Sequence, residues 1–155
     1  MTSRSRGRQF AVQMIYQHHF SGYELERDLE LFWRGAKTDN GTRRFTEFLV
    51  RGVTDHQTEL DMEVSAYLKN WTIDRIVLID RIILQIAFFE LLHTEDVPWK
   101  VVVDEAVVLT QSFNSDSTTF VNGVLHAWAT KNRAQTPTSA SQAETRDEEA
   151  KPEPN

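Results

Sequence analysis

From Ile82 to Leu92 nine of eleven residues are apolar, and only Gln85 and Glu90 break the run. A helix of this composition has no polar face to offer water, so it has to sit in the middle of a bundle whose other members cover it. The pattern stops at His93-Thr94-Glu95 and restarts at Asp96-Val97-Pro98, an acidic N-cap candidate followed by a proline suited to a first helical turn. Two helices are therefore expected to meet at a tight corner. Val101, Val102 and Val103 alone resemble a strand, but Val103, Ala106, Val107, Thr110 and Phe113 hold a helical spacing with Asp104 and Glu105 facing out, and a helix is expected.

The segments ahead of this hub supply cover. Phe10, Ala11, Met14 and Ile15 recur at helical intervals, with Arg4, Arg6 and Arg8 in or just before the first turns. Arginine there opposes the helix dipole, so these positions do not serve helix stability. They form either a solvated basic end or an arm that faces an anion, RNA being the leading candidate. Ser21-Gly22 ends this helix, and Leu25, Leu29, Phe32, Trp33 and Ala36 stripe the next one. Lys37 to Thr42 reads as a loop, after which Phe45 to Leu68 keep a helical period for over six turns, with a bend expected at Gly52. His56 falls on the apolar side of that helix, where packing or hydrogen bonding is expected rather than a ligand role. Trp71-Thr72 interrupts the run and Thr72 is a candidate N-cap; whether Asp74 to Ile79 makes a separate turn before the hub is left open.

Beyond the hub, Asn122-Gly123 between apolar pairs is a hairpin signal, yet Phe120, Val121, Val124, Leu125 and Trp128 also mark one helix face. A lone hairpin would have no sheet to join, so a helix is expected, with Asn114 to Ser117 as the preceding loop and cap. The residues after Arg133 are almost without apolar side chains. They divide the chain into a helical domain over residues 1–134 and an acidic tail over 135–155 that is expected to be disordered.

Composition bounds function. A chain of 155 residues, 40% hydrophobic, suits one domain with a real core, and without cysteine it can form neither disulfides nor thiolate metal sites. No signal-peptide core follows the first arginines, and no window reaches the roughly 18 uncharged apolar residues of a membrane span, so a soluble cytoplasmic protein is expected. The net charge of −6 argues against sequence-blind binding of nucleic acid, but it is unevenly spread: residues 1–20 carry three arginines and no acid. The five histidines do not pair at metal-ligand intervals with a third ligand, and no phosphate loop or nucleophile elbow is present, so neither an enzyme nor a bound cofactor is expected.

The strings RGRQFAVQMIYQ, FLVRGV, DRIILQIAFFELLHTEDVPWKVVVDEAV and SFNSDSTTFVNGVL, in this order over residues 4 to 130, resemble the NusB family of bacterial transcription antitermination factors. The ELL…DVPWKVVVDEAV segment looks like the family's ELxxxxDVPxKVAINEAVELA, and FVNGVL is shared almost letter for letter. The resemblance implies an all-α bundle of about six to seven helices in two packed halves and no catalysis. It also implies binding of boxA RNA jointly with NusE, a protein of the small ribosomal subunit, within the RNA polymerase antitermination complex. Carried over by position, the RNA-facing residues are Arg4, Arg6, Arg8, Tyr67, Asp116 and Phe120, and the partner-facing residues are Tyr16 and Asp80. Ser5 and Gly7 stand where many members have further basic or helix-favouring residues, and Thr118 and Thr119 where relatives often have lysine, which thins the basic patch. Ordinary packing is the competing account of Tyr16, Tyr67 and Phe120. Two other readings are a helical protein-interaction module and an RNA-binding appendage of the rRNA methyltransferase kind without its catalytic domain.

Overall fold

The computed structural model describes residues 2–133, so the acidic tail expected over 135–155 lies outside the described residues. Among the described residues seven helices follow one another: α1 (Ser3–Ser21), α2 (Leu25–Gly35), α3 (Asn40–Asp55), α4 (Gln57–Ser65), α5 (Leu78–His93), α6 (Trp99–Phe113) and α7 (Thr118–Arg133), with 3-10 turns at Ile73–Arg75 and Ser115–Ser117. One half packs α1 against α3 and α2, the other packs α6 against α5 and α7, and α5 touches α1, α3, α4 and α6. The hydrophobic run therefore forms the centre, as its composition requires: Ile82 through Glu90 are all buried. Each large side chain sealed here, Phe88 and Leu84 among them, contributes about 1.5–3 kcal/mol through burial.

The two polar residues of that run are each satisfied by a different neighbour. Gln85 donates from Nε2 to Asp61 Oδ1 of α4 at 2.7 Å. Glu90 accepts two bonds from Arg8 of α1, from Nε at 2.9 Å and from Nη2 at 2.7 Å. Arg81 grips the same Asp61 carboxylate, and that hydrogen bond first, with the pair's charge attraction, holds the guanidinium above its already high pKa against the opposing effect of burial. Around these pins the helix ends follow local chemistry. Thr2 caps α1 by accepting from Ser5 N, and Gly22 turns the chain out at φ 72°, a left-handed conformation that favours glycine.

Several expectations are corrected in detail. The loop after α2 is shorter than Lys37 to Thr42, because Asp39 accepts from both the backbone N–H and the hydroxyl of Thr42 and starts α3 at Asn40. The long helix does not bend at Gly52 but breaks at His56, whose backbone leaves helical geometry (φ −112°, ψ 19°) while its ring Nδ1 meets the Gly52 carbonyl at 2.8 Å. Gly52 serves instead as a seat for Phe89, since a Cβ there would fall 2.1 to 2.5 Å from atoms of the Phe89 ring. Asp96 does not cap α6: Pro98 is the cap residue and its carbonyl accepts from Val101 and Val102, while Asp96 pairs with Arg4. Thr72 precedes the Ile73–Arg75 turn without a side-chain cap bond, and Ile76 is extended and Val77 non-helical, so that turn is separate from α5.

Two stability measurements test this core. Arg8→Ala strands a carboxylate that is almost fully buried, and the unfolding midpoint in urea is expected to fall by an amount equivalent to about 3–5 kcal/mol. The double replacement Arg8→Met with Glu90→Leu is expected to recover most of that loss, because the fully buried charges are gone and the partly exposed Glu105 keeps its bond from Ser5. Gly52→Ala is expected to cost about 1–3 kcal/mol by overpacking against Phe89, which Phe48 and the two histidines at His56 and His93 hold in place.

Candidate nucleic-acid and partner interface

The residues singled out from the sequence fall in four places. At the start of α1, Arg4 and Arg6 are exposed, but Arg8 is 2% exposed. The helical period explains the difference: Arg8 shares a stripe with Ala11, Val12 and Ile15, whereas Arg6 lies off it. Arg8 is held by Glu90 and lies 3.8 Å from Glu105, whose other oxygen accepts from Ser5 at 2.8 Å. The expectation that Arg8 faces an RNA phosphate is corrected to an interior tie between α1, α5 and α6. Arg4 stands over the Phe45 ring at 5.3 Å and reaches Asp96 at 3.3 Å. Arg6 lines a groove of about 460 Å³ with Thr2, Ser3, Gln9, Asp39 and Thr42. Hydrogen bonds from the Thr42 backbone and hydroxyl hold the Asp39 carboxyl below the usual carboxylate range, so it stays ionised beside Arg6. Both exposed arginines thus have an acid near them.

The second place is a pocket of about 250 Å³ between the Ile73–Arg75 turn and the start of α7. Trp71, Arg75, Ile76, Val77, Asp80, Asp116, Ser117 and Phe120 line it. Three of the singled-out residues, Asp80, Asp116 and Phe120, are brought together here. Asp80 is 4% exposed and accepts from Asn114 Nδ2 at 3.2 Å and Ser117 Oγ at 2.6 Å. Its carboxylate faces the Ser115–Ser117 turn rather than open solvent, which corrects the expectation of a directly exposed partner contact. What it does is hold the turn that carries Asp116 and aims Phe120. Phe120 is half-buried against the core, and Asp116 is exposed. Trp71, 58% exposed, and Arg75 were missed from the sequence. The signal existed: a tryptophan in the polar run Lys69-Asn70-Trp71-Thr72 lies on no helix face and has nothing to pack into.

Tyr67 does not line this pocket and precedes the irregular segment that holds Trp71. Its ring packs on Phe88 with centroids 5.9 Å apart, its hydroxyl accepts from Asn132 at 3.2 Å, and Lys131 Nζ sits 5.7 Å from the ring centre. The fourth place is the last part of α1, where Tyr16 is 40% exposed and meets the more exposed Phe20 edge-on at 5.1 Å. These two aromatics on one helix face make an apolar surface strip. Nearby, His18 and Ser21 hydrogen-bond Asp28 of α2. Burial of Asp28 alone would raise its pKa, but these bonds and the charges of His18 and Arg27 outweigh burial and hold it below the usual range.

The expectation that the histidines meet no third ligand is also corrected. Among the described residues, His56, Glu59 and His93 each bring one ligand atom within 4.8 Å of the others. Only the His56 and Glu59 part of this group is visible as a local spacing, since His93 comes from another helix.

Known proteins can be set beside this geometry. The model of the NusB family matches residues 5–130. The chain is 41% identical over 128 residues to the transcription antitermination protein NusB of Anaeromyxobacter dehalogenans, covering 81% of this chain and 89% of that protein. It is 36% identical over 132 residues to the protein of the same name from Symbiobacterium thermophilum, covering 79% and 86%. Among solved structures, NusB of T. maritima superposes with a TM-score of 0.74 at 30% identity, covering 84% of this chain and 92% of that one. A complex of antitermination factors NusB and NusE with dsRNA contains the same fold, with a TM-score of 0.71 at 23% identity. Matched from near its start into its last described helix, this chain belongs to the NusB family.

Proposed function

We propose that this chain is a transcription antitermination factor that binds boxA-type RNA together with NusE in the cytoplasm, as part of the RNA polymerase antitermination complex that keeps rRNA operons processively transcribed. The observation that carries this reading is the family match over residues 5–130, joined to relatives of the chain's own size that are named for antitermination. An appendage of an rRNA methyltransferase is disfavoured by the same fact, because the match takes in 86% and 89% of those relatives' full length. The reading assigns the chain binding and no catalysis. No described helix is long and apolar enough to cross a membrane.

The division of labour follows from the chemistry of each surface. Arg4 and Arg6 supply phosphate contacts at the start of α1. Trp71 and Phe120 flank a pocket wide enough for a base, with Arg75 beside it for a neighbouring phosphate and Asp116 as an acceptor for base amino groups. Tyr67, with Lys131 over its ring, is a secondary RNA contact. Tyr16 and Phe20 form the apolar strip for NusE, and Asp80 acts on both surfaces indirectly by holding the Ser115–Ser117 turn. Two arginines give a salt slope of only about −1.4, and both stand near acids, so the chain alone binds RNA weakly and NusE raises the affinity by adding contacts of its own.

RNA binding by the NusE complex to a boxA-type single strand, measured at two salt concentrations, tests the first surface. Trp71→Ala is expected to cost about 1–3 kcal/mol of affinity with the salt slope unchanged and the urea midpoint intact. Arg4→Ala and Arg6→Ala each flatten the slope by about 0.7. A Trp71 variant that binds as tightly as the native chain removes the pocket from the RNA surface. For the partner, titration of NusE is expected to show at least a tenfold loss for Tyr16→Ala with little change in thermal unfolding, and an unchanged affinity rejects the α1 strip as the contact.

A further inference from the structure

We propose that His56, Glu59 and His93 form a binding site for a divalent transition-metal ion of the zinc class. The site is built on a feature that otherwise has no explanation, the break between α3 and α4. His56 sits at that break, and its Nδ1 is 2.8 Å from the Gly52 carbonyl. A carbonyl can only accept, so Nδ1 carries the proton and Nε2 is left as a lone pair. This is the arrangement in which a metal-ligating histidine is oriented by a bond from its other nitrogen to a carbonyl. Glu59 follows three residues on, in the first turn of α4 and on the same face. His93 is the last residue of α5, and its Nε2 lies 2.9 Å from Glu59 Oε1. The two imidazoles are 4.2 Å apart between centroids and tilted by 39°.

The surroundings suit an ion. Both rings lie against Phe89, His93 at 5.3 Å and His56 at 5.8 Å, which gives the group an apolar floor on the core side. The opposite side is open, for Glu59 and His93 retain 47% and 29% of their side-chain exposure. The three ligand atoms lie within 4.8 Å of one another. Tetrahedral zinc with bonds of about 2.0–2.1 Å needs neighbouring ligands about 3.3 Å apart, so rotation of the two partly exposed side chains toward a fixed His56 closes the site. In the bound form His93 carries its one ring proton on Nδ1, which leaves the Nε2 that now faces Glu59 free to ligate the ion. Two neutral imidazoles and one carboxylate favour zinc, cobalt, nickel or copper over magnesium or calcium, and water fills the fourth position. The bound ion ties the first turn of α4 to the last residue of the central helix.

The test uses the full-length chain without a histidine tag, stripped with a chelator and dialysed. Titration with zinc chloride is expected to show one equivalent bound and a raised melting temperature, and Co2+ is expected to give the visible absorption of a four-coordinate ion. Magnesium at a large excess does not compete. His93→Ala and Glu59→Gln, both at partly exposed positions, are each expected to weaken zinc binding at least about tenfold, whereas His126→Ala leaves it unchanged. In the unmodified chain, zinc is expected to shift the histidine ring NMR signals of His56 and His93 and not those of His126, a readout that needs no variant. Absence of stoichiometric binding, equal binding by the Glu59 and His93 variants, or ring signals of those two histidines that do not respond to zinc would each overturn the site.

Discussion

A helix that is apolar on nearly every side can be placed only where other helices surround it, and the remaining order of this fold follows from how α5 is surrounded. Apolar burial is non-directional, so it explains that α5 is central but not which helix lies where. Direction comes from its few polar groups. Asp80 faces the turn between α6 and α7, Arg81 and Gln85 face Asp61 of α4, and Glu90 faces Arg8 of α1. A slip of α1 along α5 by one turn would leave both Arg8 and Glu90 buried without a partner, a cost of several kcal/mol that no apolar contact resists as strongly. We read the buried ion pair chiefly as a register device, since an apolar pair of the same size would be about as stable.

The same pins set the candidate interfaces. With Arg8 drawn inward, a helical period of 100° per residue turns Arg6 away from the core and leaves Arg4 at the edge of the buried stripe, against Phe45. With Ser117 and Asn114 tied to Asp80, the Ser115–Ser117 turn is fixed against the start of α5, and Phe120 one turn later comes to line the pocket beside Trp71. Buried polar groups in this chain therefore act on the surface at one remove. A carboxylate such as Asp80 is important to the pocket because it is unavailable to a ligand.

Helix order and type were legible in the sequence, because both depend on periodicity and on local signals such as Gly22, whereas periodicity alone joined α3 and α4 into one helix across the break at His56. Even the Asn122-Gly123 pair, which favours a hairpin, was overruled by Phe120, Val121, Val124 and Leu125 on one face. The pairing partners were harder. Arg8 was grouped with Arg4 and Arg6 as a charge run, although its spacing to Ala11, Val12 and Ile15 placed it on the buried stripe, and Glu90 in the apolar run required a buried cation from somewhere. Joining those two facts would have removed Arg8 from the RNA surface. Asp96 failed as a cap for a different reason: Asp-Val-Pro satisfies the local rule, but the helix starts two residues later, with Pro98 as its cap, and Arg4 from the far end of the sequence takes the carboxylate. The pairing of Trp71 with Phe120 across the pocket and the meeting of His93 with His56 and Glu59 depend on tertiary proximity, which no local pattern encodes.

The electrostatics of the arm limit what the chain does alone. An exposed arginine attracts phosphate through a field that a paired acid weakens, and Arg4 has Asp96 at 3.3 Å, while Arg6 shares its groove with Asp39. A chain with a net charge of −6 adds a background that repels RNA at distances within the screening length. Stacking of a base on Trp71 is insensitive to that background, because it relies on contact and desolvation rather than on net charge. Affinity in such a surface is built from aromatic contact, with charge used locally to orient the strand, and the missing phosphate neutralisation has to come from a second protein. On the proposed function, the acids beside the arm are the reason that the chain alone binds RNA weakly and that NusE raises the affinity.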